Sequence, residues 1–130
     1  MKNPPLLLIT DDDKDFRELL ATKFKASGLQ VQTAADGAEG VQKAKSLKPD
    51  LILMDVKMPN MNGIEALLKL KEDSETKDIR VVLLTAFGDP RQEVFTTDKR
   101  FAEELGAHEY LIKTQDIEYI VGRVKSFLGK

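Results

Sequence analysis

The 130-residue chain carries 20 basic and 22 acidic residues, for a formal charge of −2, and shows no basic stripe of the kind that follows a duplex. Direct nucleic-acid binding is therefore not expected. It has no cysteine, which excludes a disulfide framework, a zinc–thiolate site and a thiol nucleophile, and leans toward a reducing, cytoplasmic setting.

The length suits one domain able to bury about two-thirds of its unfolded surface. Residues 6–9 are the only apolar run near the start, too short for a signal segment or a membrane span. Leu6, Leu7, Leu8 and Ile9 predict a strand buried on both faces, ending in Thr10, Asp11, Asp12 and Asp13. Phe16, Leu19, Leu20 and Phe24 follow at helical spacing up to Gly28. Residues 29–34 alternate as a strand nearer the sheet edge, and Ala38, Val41, Ala44 and Leu47 carry a weaker helix after Asp36 and Gly37.

Residues 51–54 form a second continuous apolar run, ended by one carboxylate, Asp55, before a turn rich in Pro, Asn and Gly. Ile64, Leu67 and Leu68 predict a third helix, and residues 80–85 another buried strand that closes on the hydroxyl of Thr85. Residues 88–100 are polar with few packing anchors, and the fourth helix is expected only from Phe101, Ala102 and Leu105. Tyr110, Leu111 and Ile112 give the last strand, ending in Lys113. An amphipathic helix from Ile117 to Leu128 closes the pattern. Strands alternating with helices of this length imply a single α/β domain over 1–130, core about 6–128, with a parallel sheet, right-handed crossovers and a site at the carboxyl ends of the strands.

At those ends stand Asp11 and Asp12, Asp55, Thr85 and Lys113. Singly, each has an ordinary explanation as a helix start, a strand end or a solvated cation. Together they describe a site. Carboxylates converging in one crevice repel one another unless a cation sits among them, and an all-oxygen donor set suits Mg²⁺ or its mimic Mn²⁺. With Lys113 neutralising phosphoryl oxygens and Thr85 donating a hydrogen bond, Asp55 is placed to attack phosphorus and form an aspartyl phosphate.

This pattern resembles the receiver domain of two-component response regulators, over essentially the whole chain. The resemblance implies a doubly wound, flavodoxin-like sheet of five parallel strands in the order 2-1-3-4-5 with five helices. It makes Asp55 the phosphoacceptor, Asp12 a direct Mg²⁺ ligand, Asp11 a ligand largely through water, and the backbone carbonyl of Lys57 a further ligand. Thr85 and Ala86 match the family's hydroxyl and small neighbour, Lys113 its lysine, and Tyr110 the aromatic whose rotamer reports the switch. It further implies a histidine kinase or histidine phosphotransfer protein as donor, an unnamed protein target, and an output face formed by the fourth helix, fifth strand and fifth helix. A signalling protein rather than an enzyme is expected, with at most self-phosphorylation from small donors and slow loss of the phosphoryl group. No output domain is expected in this chain, because Lys130 follows the last helix closely.

Two departures stand out. Thr114 occupies the position where the family has Pro after a cis bond that aims the lysine; cis before Thr would cost ~2.5–4 kcal/mol, so a trans bond with a shifted loop is expected. The span from Thr85 to Lys113 is several residues longer than the family norm, with the excess at 88–100, and is expected to alter the fourth helix. His108, the sole histidine, is expected in an exposed turn, while Lys57 and Phe87 are candidates to border the path of the hydrolytic water. Two competing readings are a haloacid-dehalogenase-like phosphatase, which would want its nucleophile after the first strand, and a flavodoxin-like binding module, which would want a phosphate-binding loop where three aspartates stand.

Overall fold

Four apolar runs dictate the architecture, because strands buried on both faces must be flanked by helices on both sides. The computed structural model describes residues 1–86, 93–113 and 116–130, with the side chains of 93–97 set aside. Among the described residues the elements alternate as β1 (Leu6–Thr10), α1 (Lys14–Ala26), β2 (Gln30–Ala34), α2 (Gly37–Leu47), β3 (Leu51–Asp55), α3 (Gly63–Glu72), β4 (Arg80–Thr85), α4 (Glu93–Glu104), β5 (Glu109–Ile112) and α5 (Ile117–Phe127). The sheet is parallel throughout, in the order β2-β1-β3-β4-β5. This is the arrangement expected from the sequence.

Alternate residues of each strand enter different cores. Leu7, Ile9, Leu51, Leu53, Val82, Leu84 and Leu111 pack with Leu20 and Phe24 of α1 and with Ile120 and Val124 of α5. Leu8, Ile52, Met54, Val81, Leu83, Tyr110 and Ile112 pack on the opposite face with Ala44, Leu67, Leu70 and Ala102. The period of two therefore decides which face each strand-end residue inherits.

The helices correct several details. Leu19 is 47% exposed and Leu68 40% exposed, because the buried stripes are centred on Leu20, Ala21 and Phe24 in α1 and on Ala66, Leu67 and Leu70 in α3. In α2 the inward face is Gly37, Gly40 and Ala44 rather than a row begun by Ala38. A Cβ at Gly40 would lie 2.9 Å from the Thr10 side chain, so glycine permits a close approach of α2 to β1. The fourth helix begins at Glu93, eight residues before Phe101, and Phe101 is itself 56% exposed. Val94 and Phe95 fall within this helix, so the spacing counted from Phe101 alone underestimated its length. Only part of the long 88–100 segment falls within the described residues, and the Lys113–Thr114 bond lies outside them.

Candidate functional site

The register brings the strand ends level. Thr10 pairs with Ala34 and Met54, Asp55 with Leu84, and Thr85 with Ile112, while the Lys113 amide donates to the Thr85 carbonyl at 2.6 Å. Asp11 and Asp55 continue the rows Leu7–Ile9 and Leu51–Leu53, and Lys113 continues from Leu111. These three side chains thus emerge on the α1/α5 side of the edge, whereas Thr85 and Tyr110 lie in the rows of the opposite face.

The geometry agrees with that parity. Lys113 Nζ lies 3.0 Å from Asp11 Oδ1, 2.9 Å from Asp11 Oδ2 and 3.4 Å from Asp55 Oδ2. Asp11 and Asp55 are 1% and 3% exposed, and carboxylate oxygens of Asp11, Asp12 and Asp55 lie within 4.8 Å of one another. Asp12, adjacent to Asp11, is exposed. The strand turns into α1 here, with Asp13 capping the helix by accepting from the Phe16 amide and its own amide donating to Asp11 Oδ1 at 2.8 Å.

One ammonium does not neutralise this group. Burial, reinforced by the neighbouring Asp11 charge, pushes Asp55 up to about 6 despite Lys113. Burial likewise raises Asp11 against its hydrogen bonds from the Asp13 amide and Lys113. Burial alone would lower Lys113, but its contacts with Asp11 and Asp55 prevail and raise it. Among the described residues, buried Asp55 Oδ1 has no hydrogen-bond partner, and Asp11 Oδ2, although close to the ammonium, is not aligned for a hydrogen bond. A buried, unsatisfied carboxylate oxygen beside two further acids fits a hard divalent cation.

Lys57 is exposed in the loop after β3, Thr85 is buried at the end of β4 with Ala86 exposed beside it, and Tyr110 is buried in β5. His108 is exposed, as expected, with its ring edge-on to Phe127 at 4.7 Å. Phe87 lies outside the described residues. Sequence reading missed two neighbours of the site: the Phe16 ring, 4.7 Å from Lys113 Nζ, and Arg17, whose guanidinium donates to the Asp11 carbonyl at 2.7 Å. Both lie in the first turn of α1, so their distance from the acid pair was legible; their direction was not.

A family model for the response regulator receiver domain matches residues 7–125. The chain belongs to the response regulator receiver domain family. This receiver is 38% identical over 124 residues to sporulation initiation phosphotransferase F of Bacillus subtilis, covering 94% of this chain and 92% of that protein. It is 36% identical over 126 residues to the DNA-binding dual master transcriptional regulator RpaA of Synechocystis, covering 97% of this chain and 50% of the relative. The receiver thus spans about half the length of several curated relatives it matches. Among solved structures, the receiver domain of the Francisella response regulator 1452 superimposes with a TM-score of 0.84 at 28% identity, covering 96% of this chain and 97% of that one. The chain is therefore a receiver domain of two-component signalling with an acidic pocket of the metal-binding kind, and neither the phosphatase nor the flavodoxin-like reading is favoured. No helix among the described residues is long and apolar enough to cross a membrane.

Proposed function

We propose that the receiver accepts a phosphoryl group on Asp55 from a phosphohistidine of a histidine kinase or phosphotransfer protein. The observation that carries this reading is the buried Asp55 carboxylate, with one unpartnered oxygen, held between Asp11, Asp12 and Lys113. Asp55 attacks phosphorus, the P–N bond to the donor imidazole breaks, and the donor ring leaves with a proton from solvent. Asp11, Asp12, Asp55 and the Lys57 carbonyl are the residues that would hold Mg²⁺, with Mn²⁺ as its substitute. The ion supplies positive charge that lets the acids ionise together and offsets charge on the phosphoryl oxygens.

Lys113 balances charge from the other side, and Thr85 donates to a phosphoryl oxygen beside the small side chain of Ala86. Tyr110, in the same face row as Thr85, carries the change to the surface of α4, β5 and α5, where a downstream protein reads it. This reading makes the chain a cytoplasmic signalling component whose own chemistry is limited to self-phosphorylation from small donors and slow hydrolysis. No output domain is assigned to residues 1–130.

Incubation with acetyl phosphate and Mg²⁺ should add one phosphoryl group by intact-mass measurement, and Asp55→Asn should abolish the gain. Undiminished labelling of Asp55→Asn would remove Asp55 as the acceptor.

A further inference from the structure

The loop 56–62 leaves β3 immediately after Asp55 and returns to the fold at Gly63. Its base is well stitched: the Val56 amide donates to Leu84 O at 2.9 Å, and the Gly63 amide donates to Val56 O at 2.7 Å. A Cβ at Gly63 would overlap the Asp55 carbonyl, so the two ends of the loop are pressed together. The tip is different. Pro59 and Asn60 are exposed, and Asn60 takes a left-handed φ of 66°, a conformation that Asn tolerates better than most residues.

The N-cap and first residue of α2 both reach this tip. Asn60 Nδ2 donates to Asp36 Oδ2 at 2.9 Å, while the other Asp36 oxygen accepts from the Glu39 amide at 2.8 Å and caps the helix. Next to it, Gly37 is packed so closely on the Met61 carbonyl that any Cβ would overlap it. Three residues further along α2, Gly40 also lies close against Thr10, which directly precedes Asp11 and Asp12. One rigid helix therefore touches both the strand end that carries the acid pair and the loop that carries Lys57.

We propose that Asp36, Gly37 and Asn60 are positioning residues of the metal site, fixing the loop after β3 against α2 so that Lys57 is set relative to Asp11, Asp12 and Asp55 before an ion binds. This rests on the phosphoacceptor reading given above. The physical reason is that Mg²⁺ requires near-ideal octahedral geometry and tolerates misplaced ligands poorly. A loop already held in place loses less conformational freedom on binding. The tie spans 24 residues of sequence, so it exists only in the folded chain.

The test is Mg²⁺ titration of the metal-free chain, following the amide resonances of Asp12 and Lys57, with thermal unfolding recorded alongside. Asn60→Gly keeps the left-handed backbone and deletes the donor; Asp36→Ser keeps a capping oxygen and deletes the acceptor used by Asn60. Each should weaken Mg²⁺ binding roughly three- to tenfold, the amount expected from one such hydrogen bond. The double variant should bind little more weakly than the worse single, since both remove one interaction. At saturating Mg²⁺, labelling by acetyl phosphate should return to the parental rate.

Parental Mg²⁺ affinity in Asn60→Gly, or fully additive losses in the double variant, would overturn the proposal. Should Asp36→Ser fail to fold, Asn60→Gly alone decides, because it alters an exposed side chain. A parent chain that neither binds Mg²⁺ nor labels would overturn the underlying site reading and the proposal with it. A parent that does both, with variants that match it, overturns the positioning role alone.

Discussion

Two charged clusters in this receiver obey the same physics and reach opposite ends. At the carboxyl edge, Asp11 and Asp55 share a single ammonium from Lys113, and burial drives both carboxyls up. On β5, Glu109 is also partly buried, but it has two cations: Arg123 of α5 at 2.8 Å and Lys99 of α4 at 3.1 Å. Burial would raise Glu109 too, yet the hydrogen bonds from Arg123 and Lys99 outweigh it and hold the carboxyl below its ordinary range. The ratio of buried acids to contacting cations separates the clusters, two to one against one to two. The first is left short of positive charge and is suited to take up an ion; the second is satisfied and binds α4, β5 and α5 to one another.

The largest effect is expected from Lys113→Met, which removes the one side-chain cation that contacts Asp11 and Asp55 among the described residues. Acetyl phosphate labelling of that variant at saturating Mg²⁺ should fall roughly 10²-fold, as when one preorganised electrostatic contact is lost from a reactive site, and intact-mass time courses would measure it. A rate within a factor of two of the parent would separate Lys113 from the chemistry.

A smaller effect concerns pH. Asp55 titrates at about 6 in the folded chain against an ordinary value of 3.8, so between those limits the folded state holds a proton that the unfolded state has lost. The contribution of Asp55 to metal-free stability is therefore greatest below the lower value and declines as pH rises through about 6, by at most about 3 kcal/mol. Urea unfolding at pH 5 and pH 7.5 should show this decline in the metal-free parent. It should be weaker in Asp55→Asn and in the parent with saturating Mg²⁺.

Glu109 has the opposite sign: its contribution is present above the ordinary value of 4.5 and is lost as pH falls through its lowered folded value. Because Lys99 and Arg123 are themselves partly exposed, solvent screening limits the effect, and Glu109→Gln should cost only about 1 kcal/mol at neutral pH by urea unfolding. It should leave labelling of Asp55 unchanged, which would confirm that the two clusters are separable.

Much of the fold was legible because the runs at 6–9, 51–54 and 81–84 have no polar residue to place on a solvent face, and parallel central strands are the economical way to bury them. The site was legible for a related reason: a lone acid or hydroxyl after such a run must lie at a strand end. The start of α4 was not legible, since Val94 and Phe95 are separated from Phe101 by the polar and charged stretch 96–100, which interrupted the spacing counted from Phe101, Ala102 and Leu105. Leu19 and Phe101 misled in the other direction, because an apolar residue at helical spacing can sit on the flank of the buried stripe.

The alternation of elements, the face period of each strand and the set of chemical groups at the carboxyl edge follow from neighbours a few residues apart, and so were written in the local pattern of the chain. That Asp11 is buried while Asp12 is exposed emerges only on folding, because it depends on which side of the turn into α1 faces Lys113, 102 residues away. Folding likewise pairs Glu109 with two cations from different helices, and Asp36 with Asn60. Long-range pairs of this kind depend on where rigid elements come to rest against one another, and no local pattern along the chain encodes that placement.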